Sequence, residues 1–308
     1  METRSRLRRA LHNPVLFLRG INRLFYRRLG TREYNPDGID VFAADWDTLI
    51  LLDACRYDMF ERCADLPGRL ERRRSRGSTT VEFLQANVAG RDLSDTVYVT
   101  ANPQLYQHRA SIRPAFHEVV DVWREDGWDE DHGTVLPGTL TAYARQAVER
   151  HPNKRLVVHY MQPHYPFLGS DAGFDKGHLD GTGVEAENVW NRLLQGTLDL
   201  DRSEIWRLYD ENLERVLPSV EELLTELDGK TVVTADHGNM IGERAFPVPF
   251  REWGHPRGIY TDELVDVPWL VSESGPRRRI TRGTVEERAG TVEENVVTDR
   301  LRNLGYAE

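Results

Sequence analysis

The sequence predicts an α/β fold: a central, mostly parallel sheet with helices on both faces. Three observations carry this expectation. Short apolar runs rich in Val, Leu and Ile recur along the chain, as buried strands require. Helical patterns separate them, which is how parallel strands are connected. The chain has 308 residues, 39% of them apolar, enough to bury a core in one large domain.

The elements follow in order. Residues 1–30 stand apart from a catalytic domain expected over 31–308. Arg4, Arg6, Arg8, Arg9, Arg19, Arg23, Arg27 and Arg28 interleave there with Leu7, Leu11, Val15, Leu16, Leu18, Ile21, Leu24 and Phe25. The spacing is roughly helical and breaks near Asn13-Pro14. Such a segment either lies on an anionic membrane surface or packs on the domain with its arginines in water. Thr48–Leu52 reads as a strand and Tyr57–Cys63 as a helix. Thr79–Val88 reads as a helix and Val97–Thr100 as a strand. Leu140–Arg150 is helical and Leu156–Tyr160 extended. Gly169–Gly183, rich in Gly and Asp, reads as a long loop. Ile205–Leu227 carries a long helical pattern with a kink expected at Pro218. Thr231–Thr234 and Trp269–Val271 read as strands, and a terminal helix is expected around Glu293–Leu304.

Composition narrows the function classes. The net charge is -10, and only Lys154, Lys176 and Lys230 are lysine among 40 basic residues. Acid excess with scarce lysine fits a protein from a salt-accumulating halophile, where salt screens self-repulsion. An arginine-rich codon bias would leave the same mark. The negative balance disfavours nucleic-acid partners. No apolar run approaches the ~20 residues of a membrane span, and no secretory signal is visible, so the expected location is cytoplasmic, or peripheral at the membrane through residues 1–30. Cys55 and Cys63 make no disulfide framework.

The chemistry concentrates at strand ends. In Val232-Val233-Thr234-Ala235-Asp236-His237-Gly238 a short strand delivers a carboxylate and an imidazole, and glycine permits a tight exit. Carboxylate oxygen and imidazole nitrogen together suit a divalent ion, Mn or Zn in preference to Ca or Mg. Asp53 ends the first strand, where open parallel sheets place their ligands, although it could equally cap the next helix. Gly77-Ser78-Thr79-Thr80-Val81-Glu82 puts three hydroxyls at a helix start. Glu82 has capping-box spacing from Thr79, but a hydroxyl beside the free N–H groups could also attack phosphorus. His159 falls within or just past its strand, as a packed core histidine would. His164 sits between Pro163 and Pro166, and His255 lies in a turn-rich loop.

In this order the motifs resemble the alkaline phosphatase/sulfatase superfamily, especially its sulfatase-like branch. The resemblance rests on Asp53, the hydroxyls Ser78, Thr79 and Thr80, Gln162-Pro163-His164-Tyr165-Pro166, the helix from Tyr209, Asp236-His237-Gly238, Trp253-Gly254-His255 and Val267-Pro268-Trp269, with Leu301–Tyr306 like a common tail. It implies Asp53, Asp236 and His237 as metal ligands and Ser78, Thr79 or Thr80 as nucleophile. It implies Gln162, His164 and His255 at the substrate, or His255 in a second metal site. The formylglycine motif Cys-x-Pro-x-Arg of true sulfatases is missing. The expected function is therefore a metal-dependent hydrolase or transferase acting on a phosphate or sulfate ester of a small molecule, glycan or lipid-linked substrate. The rivals are a sulfuryl hydrolase or transferase, a phosphomutase and a non-catalytic scaffold of the same fold.

Overall fold

The computed structural model describes residues 14–169, 188–285 and 293–304. Its strands, in chain order, are β1 (Thr48–Asp53), β2 (Arg69–Arg74), β3 (Asp92–Thr100), β4 (Ala115–Asp121), β5 (Trp128–Asp129), β6 (Thr134–Val135), β7 (Arg155–Pro163), β8 (Gly229–Thr234), β9 (Met240–Arg244), β10 (Arg251–Gly254) and β11 (Asp266–Ser274). The helices are α1 (Pro14–Tyr26), α2 (Tyr57–Cys63), α3 (Thr80–Asn87), α4 (Gln104–Gln107), α5 (Arg109–Ile112), α6 (Pro137–Arg150), α7 (Val189–Gln195), α8 (Arg202–Glu226), α9 (Asp262–Val265) and α10 (Glu294–Asn303). Seven strands form one sheet in the order β2-β11-β8-β1-β7-β3-β4. The five from β8 to β4 are parallel; β11 and β2 close one edge antiparallel.

Alternation along the strands fills both faces. Leu49, Leu51, Val157, Val232 and Tyr98 pack under Phe83 and Leu84 of α3 and under Trp46. Ile50, Leu52, Val158, Tyr160 and Val233 pack under Leu140 and Ala144 of α6 and Leu213, Val216 and Val220 of α8. Because both faces are covered, every residue of β1 is buried, so the strand reads as a continuous apolar run.

Every strand and helix expected from Thr48 onward is present, several of them longer than their apolar runs. α8 runs unbroken through Pro218, because buried Val216, Val220 and Leu223 hold the turns on either side. The edge strand β2 has the sequence RLERRR and no apolar periodicity; its arginines guard the open edge. Residues 1–13 of the basic segment, 170–183 of the Gly- and Asp-rich loop and 305–306 of the tail lie outside the described residues.

Parallel strands share a direction, so β8, β1, β7 and β3 present their C-terminal halves side by side. That edge receives Asp236, Asp53, His159 and Asn102.

Candidate metal centre

Asp53 closes β1, where the register with β7 shifts. The next residue, Ala54, takes a φ of 59°, a left-handed turn unusual for a residue with a Cβ. Its N–H donates to Asp236 Oδ1 at 3.0 Å, and the His237 N–H donates to the same oxygen at 2.9 Å. Asn102, just past β3, donates its amide to Asp53 Oδ2 at 2.5 Å. Gly238, next after His237, packs against Glu263 O, where a Cβ would clash.

Each carboxylate thus has one oxygen held and one without a hydrogen-bond partner. Asp53 Oδ1 and Asp236 Oδ2 are fully buried and partnerless, and so is His159 Nε2. Asp53, His159 and Asp236 can each offer one donor atom so that all three lie within 4.8 Å of one another. His237 Nε2 is 3.6 Å from Asp53 Oδ1 and 3.5 Å from Asp236 Oδ2; His159 Nε2 is 3.8 Å from Asp236 Oδ2. These separations are too long for good hydrogen bonds. They are close to the edges of a tetrahedral shell, roughly 3.3–3.4 Å when each ligand stands about 2.0–2.1 Å from the ion. The donor set therefore fits a divalent cation.

The ring tautomers agree. His237 Nδ1 lies 2.7 Å from Gly238 O and His164 Nδ1 2.7 Å from Tyr165 O. A carbonyl only accepts, so Nδ1 carries the proton and a neutral Nε2 keeps its lone pair. His159 Nδ1 meets Tyr98 Oη at 2.7 Å. Burial lowers His159 and His164 to about 4 and holds His255 well below its ordinary value, so all three are neutral at pH 7. Burial and the neighbouring Asp236 charge hold the Asp53 carboxyl well above the usual range, against the Asn102 hydrogen bond. Burial also raises Asp236, but His237, His159, the Thr80 hydroxyl and the Ala54 N–H outweigh it and bring it below its usual value.

The three hydroxyls separate. Ser78 Oγ donates to Glu82 Oε2 or Pro256 O and accepts the Gly258 N–H at 2.9 Å. Thr79 is the N-cap of α3, its hydroxyl accepting the Glu82 N–H. Thr80, the first residue of α3, is buried and puts Oγ1 3.3 Å from His237 Nε2. Of the three, Thr80 alone is brought to the ligand cluster; Ser78 and Thr79 are tied into the helix start. His164 and His255 meet Nε2 to Nε2 at 3.0 Å, and the His255 ring lies against His237 with centroids 4.7 Å apart. Gln162 is not brought in: its amide donates to Val135 O.

His159, Tyr98 and Asn102 complete the centre beyond the residues expected from the motifs. His159 had one visible sign, a lone imidazole in an otherwise apolar strand. Asn102 follows the same strand-end rule as Asp53.

Among solved structures, the soluble domain of lipooligosaccharide phosphoethanolamine transferase A from Neisseria meningitidis matches 73% of this chain and 75% of its own, at 13% identity and a TM-score of 0.45. The C-terminal periplasmic domain of EcEptC from Escherichia coli, in complex with Zn, matches 77% of both chains at 12% identity and a TM-score of 0.45. A protein in the alkaline phosphatase superfamily from Vibrio parahaemolyticus matches 84% of this chain and 70% of its own, at 12% identity and a TM-score of 0.40. The last carries in its name the superfamily that the motif order resembles. At these scores the likeness adds no weight to the geometry above. No family model and no curated protein matches the chain.

Proposed function

We propose that the chain is a metal-dependent enzyme that hydrolyses or transfers the phosphoryl group of a phosphate ester, with Thr80 as nucleophile. One observation carries this: buried, partnerless Asp53 Oδ1, Asp236 Oδ2 and His159 Nε2 converge beside a hydroxyl at a helix start. A divalent ion held by Asp53, Asp236, His159 and His237 would supply positive charge, lowering the pKa of the Thr80 hydroxyl and drawing in a non-bridging phosphoryl oxygen.

Thr80 Oγ1 bonds to phosphorus as the bond to the ester oxygen breaks. Thr80 passes its proton to solvent water, and water protonates the ester oxygen, which leaves as an alcohol. Free N–H groups at the start of α3 face the phosphoryl oxygens. His164, its Nδ1–H committed to Tyr165 O, has only an acceptor at Nε2; it takes the His255 Nε2–H and so orients the His255 ring beside the phosphoryl group. Water, or an acceptor alcohol, then attacks phosphorus and frees Thr80. An intact ligand shell with its acceptors left open favours this over a scaffold that has lost its chemistry.

The test is turnover of an aryl phosphate and a phosphodiester with Mn or Zn, with the matching sulfate ester assayed alongside. Phosphate turnover should fall by about 10³-fold or more in Thr80→Ala and in Asp236→Ala. Undiminished turnover in either variant, or turnover of the sulfate ester alone, would sink the proposal.

A further inference from the structure

Helix α1 is amphipathic in the reverse sense of an ordinary surface helix. Its polar side is turned inward. Arg19 grips the fully buried Glu252 carboxylate with two bonds, and Asn22, fully buried, bonds the Val248 N–H and C=O. Its apolar side faces out: Phe17 is 59% exposed, Leu24 52%, Phe25 53% and Ile21 36%. Phe25 stacks edge-on with Phe246, itself 57% exposed, which extends the apolar stripe onto the β9–β10 hairpin. A solvated helix would put these residues inside, so the outward face calls for a covering.

We infer that this face docks in the interface of an anionic lipid bilayer. Charge selects the occupant. Residues 1–32 contain nine arginines and one acidic residue, in a chain of net charge -10. Arg28 is exposed just beyond the helix. A second copy docked through the same face would bring arginine against arginine. An anionic surface attracts the arginines and takes up the phenylalanines. Length agrees: α1 has 13 residues, too few to span, and no helix among the described residues is long and apolar enough to cross a membrane. Docking would hold the 248–258 segment, which carries His255, just beneath the lipid surface. That consequence for substrate access, unlike the docking, rests on the phosphoester chemistry proposed above.

The test is flotation of the full chain with vesicles of phosphatidylcholine alone, or with about one third phosphatidylglycerol. The protein should float with the anionic vesicles and about tenfold less with the neutral ones. Phe17→Ser/Leu24→Ser/Phe25→Ser should abolish flotation while the chain stays folded, since each of these side chains is more than half exposed. Arg28→Glu should weaken it without touching the apolar stripe. Three results would overturn the inference: wild type left behind by anionic vesicles, equal flotation of the triple variant, or a solution dimer that the triple variant dissolves. Flotation needs no turnover, so its failure would leave the phosphoester chemistry standing.

Discussion

Thr80 Oγ1 lies 3.3 Å from His237 Nε2, while Ser78 Oγ, two residues earlier, is bound to Glu82, Pro256 and Gly258. The two hydroxyls should therefore fail differently. Thr80→Ala should remove turnover and keep stability. Ser78→Ala should keep turnover within about tenfold and cost ~1–3 kcal/mol of stability, because it strips a partner from the buried Glu82 and Gly258 N–H. Thr79→Ala should cost about 1 kcal/mol as a lost cap. Turnover and denaturant midpoints on the three variants check this.

Tyr98 reaches the centre only through His159, to which it bonds at 2.7 Å. Tyr98→Phe should weaken ion retention about 10-fold to 100-fold by freeing the His159 ring. His159→Ala should weaken it more. Competition against a chelator reads both, and equal retention by Tyr98→Phe and wild type would remove Tyr98 from the centre.

The Asp53 carboxyl, raised by burial and by Asp236, gives the ion-free protein a pH signature. Its folded pKa lies above its unfolded value near 4. Between those two values Asp53 holds a proton only in the folded state, which gives a falling slope of stability with pH. His159, His164 and His255, lowered by burial, give the opposite slope up to about pH 6.5. The Asp53 slope is therefore read as the difference between wild type and Asp53→Asn. A bound cation takes the proton's place and should remove the slope. Thermal unfolding from about pH 5 to pH 8, with and without Zn or Mn, measures this. Asp53→Asn should remove the falling contribution from the ion-free curve and leave the rise from the three histidines.

Asn212, fully buried on α8, clamps the loop that carries His164. Its amide donates toward Pro163 O, His164 O and Pro166 O, and its oxygen accepts the Leu168 N–H. Asn212→Leu leaves buried carbonyls without a donor and should cost ~2–4 kcal/mol. Asn212→Asp should be no better, since it sets an acceptor against acceptors. Urea unfolding of both variants decides it.

The strands were legible because both sheet faces are covered, which makes runs such as Leu49–Leu52 apolar without interruption. That Asp53, Asp236 and His237 would meet was legible because side chains at the C-terminal ends of parallel strands gather along one edge. Which hydroxyl meets them was not. Ser78, Thr79 and Thr80 are equivalent in sequence, and only the seat of α3 against Pro256 and Gly258 decides which hydroxyl turns inward. His159 was seen but hidden by its strand, since a ligand and a packed core histidine leave the same mark. The orientation of α1 was hidden for a different reason. Spacing gives a helix two faces, but the inward one is chosen by the buried Glu252, more than 200 residues away.

The most direct test of the metal centre is anomalous diffraction from crystals grown with Zn or Mn. A single strong peak should lie about 2.0–2.2 Å from Asp53 Oδ1, Asp236 Oδ2, His159 Nε2 and His237 Nε2, with Thr80 Oγ1 turned toward it. Carboxylates bridged by a proton or water, with the anomalous signal elsewhere or missing, would contradict the account.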